Sequence, residues 1–173
     1  MALSMQREPE SDLPKLLVSA CLLGNPVRYD GKSRNLQHQG LCRLQEQDRV
    51  ICFCPEVAAG LPVPRPPAEC VAGDGDAVIA GSARVMTREG EDLSDYFVAG
   101  AEQALRLCRD KQIKVAVLTE TSPSCGSSQI YDGSFSRQPI AASGVTTALL
   151  RQHGIMVFSQ HQLQAALSYL GSL

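Results

Sequence analysis

Seven cysteines are spread along this chain, and three of them follow short apolar runs. Cys21 follows the run 16–20, Cys54 follows 50–53, and Cys125 lies six residues past 115–119. If those runs are parallel strands, the three thiols lie beyond their carboxyl ends, where open α/β sheets bind ligands. Three converging thiolates suit a soft metal or an iron–sulfur cluster. A four-iron cluster held by three cysteines keeps one iron without a protein ligand, an open Lewis-acid position. Spacing alone leaves a second reading open, because there is no CxxC pair and scattered cysteines are commonly buried, inert thiols. Cys42, Cys52 and Cys108 fall within periodic or apolar segments and read as core residues. Cys70 follows a proline-rich stretch and is ambiguous.

The elements that would position these thiols alternate. Apolar runs rich in β-branched residues at 16–20, 50–53, 115–119 and 155–158 suit strands buried on both faces of a parallel sheet. Helices are expected over 35–48, over 95–112 after a Ser94 cap, over 144–153 before Gly154, and over 160–170, where Ser159 and Gln162 form a capping box. Strand alternating with helix predicts an α/β fold, a single Rossmann-like three-layer domain with a mainly parallel sheet. It would cover 15–173, behind a flexible N-terminal tail at 1–14. Residues 55–75 carry five prolines and read as a long functional loop.

The chain has 173 residues, 44% of them hydrophobic, and a net charge of −2. That composition supports one packed core and argues against charge-driven binding to polymeric nucleic acid. No apolar run approaches the roughly 20 residues of a membrane span, and the first dozen residues lack a secretory h-region. A cytoplasmic location is expected, where an odd set of cysteines remains reduced.

The motifs VSACLLGNPVRYDG (18–31), CPEVAAGLPVPRPPAE (54–69), SPSCGSSQIYDGSF (122–135) and SGVTTALLRQHGIMVFS (143–159) resemble, in the same order, those of the bacterial thiouracil desulfurase family. The resemblance implies a 4Fe–4S cluster held by Cys21, Cys54 and Cys125. It further implies a non-redox hydrolysis of a thiolated pyrimidine, as free base or as 4-thiouridine monophosphate, to the oxo product and hydrosulfide. Glu56 and Ser122 match the family's catalytic glutamate and serine. Many members carry a further cysteine directly before RYDG, where this chain has Val27.

Other residues of these motifs have two readings. Arg28 and Arg65 suit a phosphate, or a structural pair with a neighbouring acid such as Asp30, Glu56 or Glu69. Tyr29 and Tyr131 fit a base pocket. Ser127 and Ser128 fit contacts to the cluster or the substrate. Asp30-Gly31 and Asp132-Gly133 are turn signals. Competing readings are a zinc hydrolase using the same thiolates, a non-catalytic iron–sulfur sensor or carrier, and a nucleotide-binding domain. The last is weakened by the absence of GxGxxG and GxxxxGK[ST] loops.

Overall fold

The computed structural model describes residues 13–173. Residues 1–12 of the expected tail lie outside them. In chain order the elements are β1 (Leu16–Ser19), a 3-10 turn (Ala20–Leu23), α1 (Gln39–Glu46), β2 (Val50–Phe53), α2 (Pro55–Ala58), β3 (Ala68–Val71), α3 (Gly75–Ile79) and β4 (Arg84–Thr87). There follow α4 (Ser94–Asp110), β5 (Val115–Leu118), β6 (Gln129–Tyr131), β7 (Pro139–Ala141), α5 (Val145–Gln152), β8 (Met156–Ser159), a 3-10 turn (Gln160–Gln162) and α6 (Leu163–Leu170). Among the described residues, no helix is long and apolar enough to cross a membrane.

The main sheet has the order β2-β1-β5-β8 and is parallel throughout. Side chains of successive strand residues point to opposite faces, and this separates the core into two layers. Leu16, Val18, Val115 and Val117 pack with Leu41 and Leu44 of α1 and with Leu163, Ala166 and Leu170 of α6. Leu17, Ala116 and Leu118 face the other way, onto Ala104, Leu105 and Cys108 of α4 and Leu150 of α5. Helices on both faces of a parallel sheet make the expected three layers.

Two antiparallel hairpins, β3–β4 and β6–β7, complete the fold. Part of the proline-rich stretch is therefore structured. It begins in α2 and ends in β3, and Cys70 of β3 packs in a third apolar cluster with Val85, Phe97 and Ile130.

Two cysteines expected in the core are outside it. β2 is the sheet edge, and Cys52 is exposed there, accepting a hydrogen bond from Asn25 Nδ2 at 3.3 Å. Cys42 is also exposed, while its neighbours Leu41 and Leu44 carry the buried stripe of α1. Helix ends differ slightly from expectation. α1 starts late because Arg34 N and Leu36 N bond back to Cys21 O and Leu22 O. Ser94 opens α4 with its own N–H held by Asp92 Oδ1, and its hydroxyl accepts Val85 N. The Ser159–Gln162 capping box is present.

Gly100 fixes the approach of α4 to α2. A Cβ there would lie 2.3 Å from Pro55 O and 2.8 Å from Pro55 C, backbone atoms that cannot yield cheaply. Gly100→Ala is expected to destabilise the fold by about 1–3 kcal/mol, measured by urea unfolding. It should also displace the turn that follows Cys54.

Candidate active site

Sheet order reverses at β1. The chain runs from β1 outward to β2, then returns to β5 on the other side. Beyond the carboxyl ends of β1 and β5 the parting chains leave an open cavity of about 360 Å³, and Cys21, Cys54 and Cys125 all line it.

Each thiol is set by different local structure. Cys21 sits in the 3-10 turn directly after β1, with its Sγ 2.8 Å from Thr119 Oγ1. Cys54 stands at the amino end of α2 without a side-chain cap hydrogen bond. Burial pushes its thiol up, and the nearby backbone N–H groups of Val57 and Glu56 pull the other way without cancelling the rise. Cys125 lies in the loop between β5 and β6. Burial pushes its thiol well up, and the neighbouring Cys54, Glu56 and Cys21 add to this against a hydrogen bond from Ser19.

Glu56 stands beside these sulfurs. Arg65 Nε and Nη2 both contact Glu56 Oε2 at 2.7 Å. The other carboxylate oxygen is thus clear of the guanidinium. Burial raises the Glu56 pKa; Arg65 and a hydrogen bond from Ser122 pull it down without cancelling the rise. Ser122 also accepts from Ser124 N at 3.1 Å and Cys125 N at 3.0 Å. Its hydroxyl therefore shapes the turn that holds Cys125 and reaches Glu56 as well. The rest of Arg65 is committed within the protein, with Nη1 on Pro62 O and Nη2 on Val27 O, each at 3.1 Å. Its fork pins the proline-rich loop and orients Glu56, and is not displayed to a phosphate.

Ser127 and Ser128 are not brought to the cavity wall. Their hydroxyls donate to Glu120 Oε2, and their backbone N–H groups, with that of Gln129, donate to Glu120 Oε1. Burial alone would raise this carboxyl, but the bonds from Gln129, Ser128 and Ser127 outweigh it and hold the pKa below the usual value. Glu120 was not apparent from sequence spacing. Its one signal there is its place just before SPSCGSSQ. It folds that segment around a buried anion, and the amino end of α5 secures the far side. Val145 N bonds to Pro123 O, Thr146 N to Ser124 O, and Thr147 Oγ1 to Cys125 O. Gly126 lets the loop close, because a Cβ there would meet Gln129 O at 2.4 Å.

Arg28 and Tyr29 line the mouth. Arg28 has a loose ion pair with Asp30 at 3.7 Å and lies 5.9 Å from the Tyr29 ring centre. Arg34, Arg88 and Arg137 also border the cavity and are exposed. Tyr131 lines it too, as does Glu69, whose carboxylate accepts Phe135 N at 3.0 Å. The Asp30-Gly31 turn is present, with Lys32 N on Asp30 Oδ1.

Among the described residues, no group of three or more His, Cys, Asp or Glu side chains is arranged to hold a single metal ion, so the zinc alternative has no formed centre. A polynuclear cluster does not need its ligands to meet at one point, because they bind different irons. Three cysteines around one cavity match the thiolate set of such a cluster. Cys70 is not a wall residue; its buried thiol is pushed up to about 12 by burial and by nearby Asp74 and Glu69.

Residues 16–162 match the family model described as 2-thiouracil desulfurase. The chain belongs to that family. It is 38% identical over 148 residues to the uncharacterized protein YbbK of Bacillus subtilis (strain 168), spanning 86% of this chain and 97% of that protein. It is also similar to a solved structure of the 4Fe–4S-dependent thiouracil desulfidase TudS, with 48% identity and a TM-score of 0.84 over 92% of this chain and 99% of that one. The desulfurase fold is thus the three-layer α/β domain described above.

Glu120→Ala would leave buried N–H and hydroxyl groups without an acceptor. Its expected cost is on the order of 3 kcal/mol, read by urea unfolding. Glu120→Gln should keep most of that stability near neutral pH. Because the folded pKa is depressed, the stability due to Glu120 is complete above about pH 4.3 and is lost as pH falls through the folded value. Glu120→Gln should therefore flatten the acid limb of the stability curve.

Proposed function

We propose that this protein is a thiopyrimidine desulfurase that replaces the sulfur of a thiocarbonyl by oxygen from water. The observation that carries this reading is the placement of Glu56, with one oxygen unclaimed by Arg65, in the same cavity as Cys21, Cys54 and Cys125. Family membership and the likeness to TudS support it. The three cysteines would hold a 4Fe–4S cluster. When bound, such a cluster supplies a Lewis-acidic iron with affinity for the substrate's sulfur.

The chain's own residues supply the proton chemistry. Glu56 takes a proton from water at the oxygen away from Arg65. The hydroxide adds to the ring carbon that bore sulfur, and hydrosulfide leaves. Thiocarbonyl plus water gives carbonyl, hydrosulfide and one proton, with no change of oxidation state. Arg65 fixes the carboxylate rotamer, and burial strengthens Glu56 as a base. Ser122 lines the same cavity as Glu56 and can pass on the proton. A pure carrier would have no use for a base beside its ligands.

The mouth supports a substrate with an anionic group. Arg28, with only a 3.7 Å pair to Asp30, is displayed to the cavity, and Tyr29 offers a ring face. A thiolated nucleoside monophosphate would place its phosphate near Arg28 and its base deeper, toward Glu56.

Protein purified without oxygen should be brown and convert 4-thiouracil to uracil with release of sulfide. In Glu56→Gln the brown colour should persist while turnover falls at least about 100-fold. Loss of colour with loss of activity would instead make Glu56 a structural group. Arg28→Ala should raise KM for 4-thiouridine monophosphate about tenfold, as expected for one charged hydrogen bond. The same variant should leave KM for the free base unchanged in steady-state assays.

A further inference from the structure

Two hydroxyl residues, Ser19 at the end of β1 and Thr119 directly after β5, are 3% and 7% exposed. Thr119 Oγ1 lies 2.8 Å from Cys21 Sγ. Thr119 N donates to Ser19 Oγ at 3.0 Å. The hydroxyl after β5 thus serves the sulfur after β1, and the hydroxyl at the end of β1 holds the backbone of Thr119 in place.

In the thiol form either partner of the Cys21–Thr119 contact can donate. A sulfur that ligates metal has no proton, so the hydroxyl must then be the donor. We propose that Thr119 is a positioning residue that hydrogen-bonds the Cys21 thiolate, one of the cluster's ligands, and so raises the Lewis acidity of the iron. The inference rests on the desulfurase reading above. Hydrogen bonds to ligand sulfurs are a main determinant of cluster potential, and outer-shell partners orient the ligands they touch. Each such bond draws electron density off sulfur and makes it a weaker donor to iron. Burial keeps water from competing for this contact.

The test uses the anaerobic holoprotein. Thr119→Val replaces the hydroxyl by a methyl group of similar size, and Thr119→Ser restores the donor. Iron and sulfide per chain, the midpoint potential from a reductive titration, and kcat with KM are measured for each. The expected result for Thr119→Val is wild-type iron content, a more negative potential, a several-fold lower kcat and an unchanged KM. Thr119→Ser should return the potential toward wild type. Loss of the cluster from Thr119→Val alone, with loading kept in Thr119→Ser, also supports the hydroxyl's role. A loaded Thr119→Val with the wild-type potential overturns the inference. So does equal loss of the cluster from both Thr119 variants, which would make the site one of packing. A wild-type protein that takes up no cluster overturns the desulfurase reading itself, and this inference with it.

Discussion

A parallel sheet whose strand order reverses at β1 must leave a crevice between the carboxyl ends of β1 and β5, because the chains leaving those ends diverge. Everything chemical in this protein is attached to that crevice. Cys21 is two residues past the end of β1 and Cys54 one past the end of β2, while Cys125 returns to the same place on the loop after β5. Ser19 and Thr119 meet across it, the N–H of one strand end bonded to the hydroxyl of the other. No long-range search is needed to bring the thiols together. Strand pairing in register, Leu16 with Val50 and with Val115, already does so.

The loop that carries Cys125 needs more support than the other two thiols, because the chain there has left the sheet. Glu120 provides it by gathering four N–H groups and two hydroxyls onto one carboxylate. A buried anion is tolerable only when so fully hydrogen-bonded. The same economy explains Arg65. Its fork neutralises one oxygen of Glu56 and satisfies two backbone carbonyls of the surrounding loops. The second oxygen of Glu56 remains available while the carboxylate cannot rotate.

The strands of the main sheet were legible as β-branched apolar runs, because a strand covered on both faces has no polar positions to interrupt it. The capping box at Ser159 and the helical period of α4 were legible for similar local reasons. Edge position was not. The run at 50–53 looks like its neighbours, yet among the described residues no strand pairs with its outer side, and Cys52 is exposed there. The β3–β4 hairpin was hidden because prolines dominate the stretch before it. Ser127 and Ser128 lie on the loop after Cys125, and their donors go to Glu120. A sequence shows that donors are present, but only tertiary structure shows that Glu120 receives them.

Net charge illustrates the same gap between composition and field. The chain carries −2 overall, which by itself suggests no preference for anions. Inside the crevice, however, the acids are already engaged: Glu56 by Arg65, Glu69 by the Phe135 N–H, and Glu120 by its six donors. The arginines at the mouth are differently placed. Arg34, Arg88 and Arg137 are exposed, and Arg28 holds Asp30 only at 3.7 Å. Charge that is paired within the wall contributes little outside it, whereas charge on the rim faces whatever enters. Five arginines, Arg28, Arg34, Arg65, Arg88 and Arg137, line this cavity against three acids, Glu56, Glu69 and Glu120, so its local balance of charge is basic in a chain whose sum is negative.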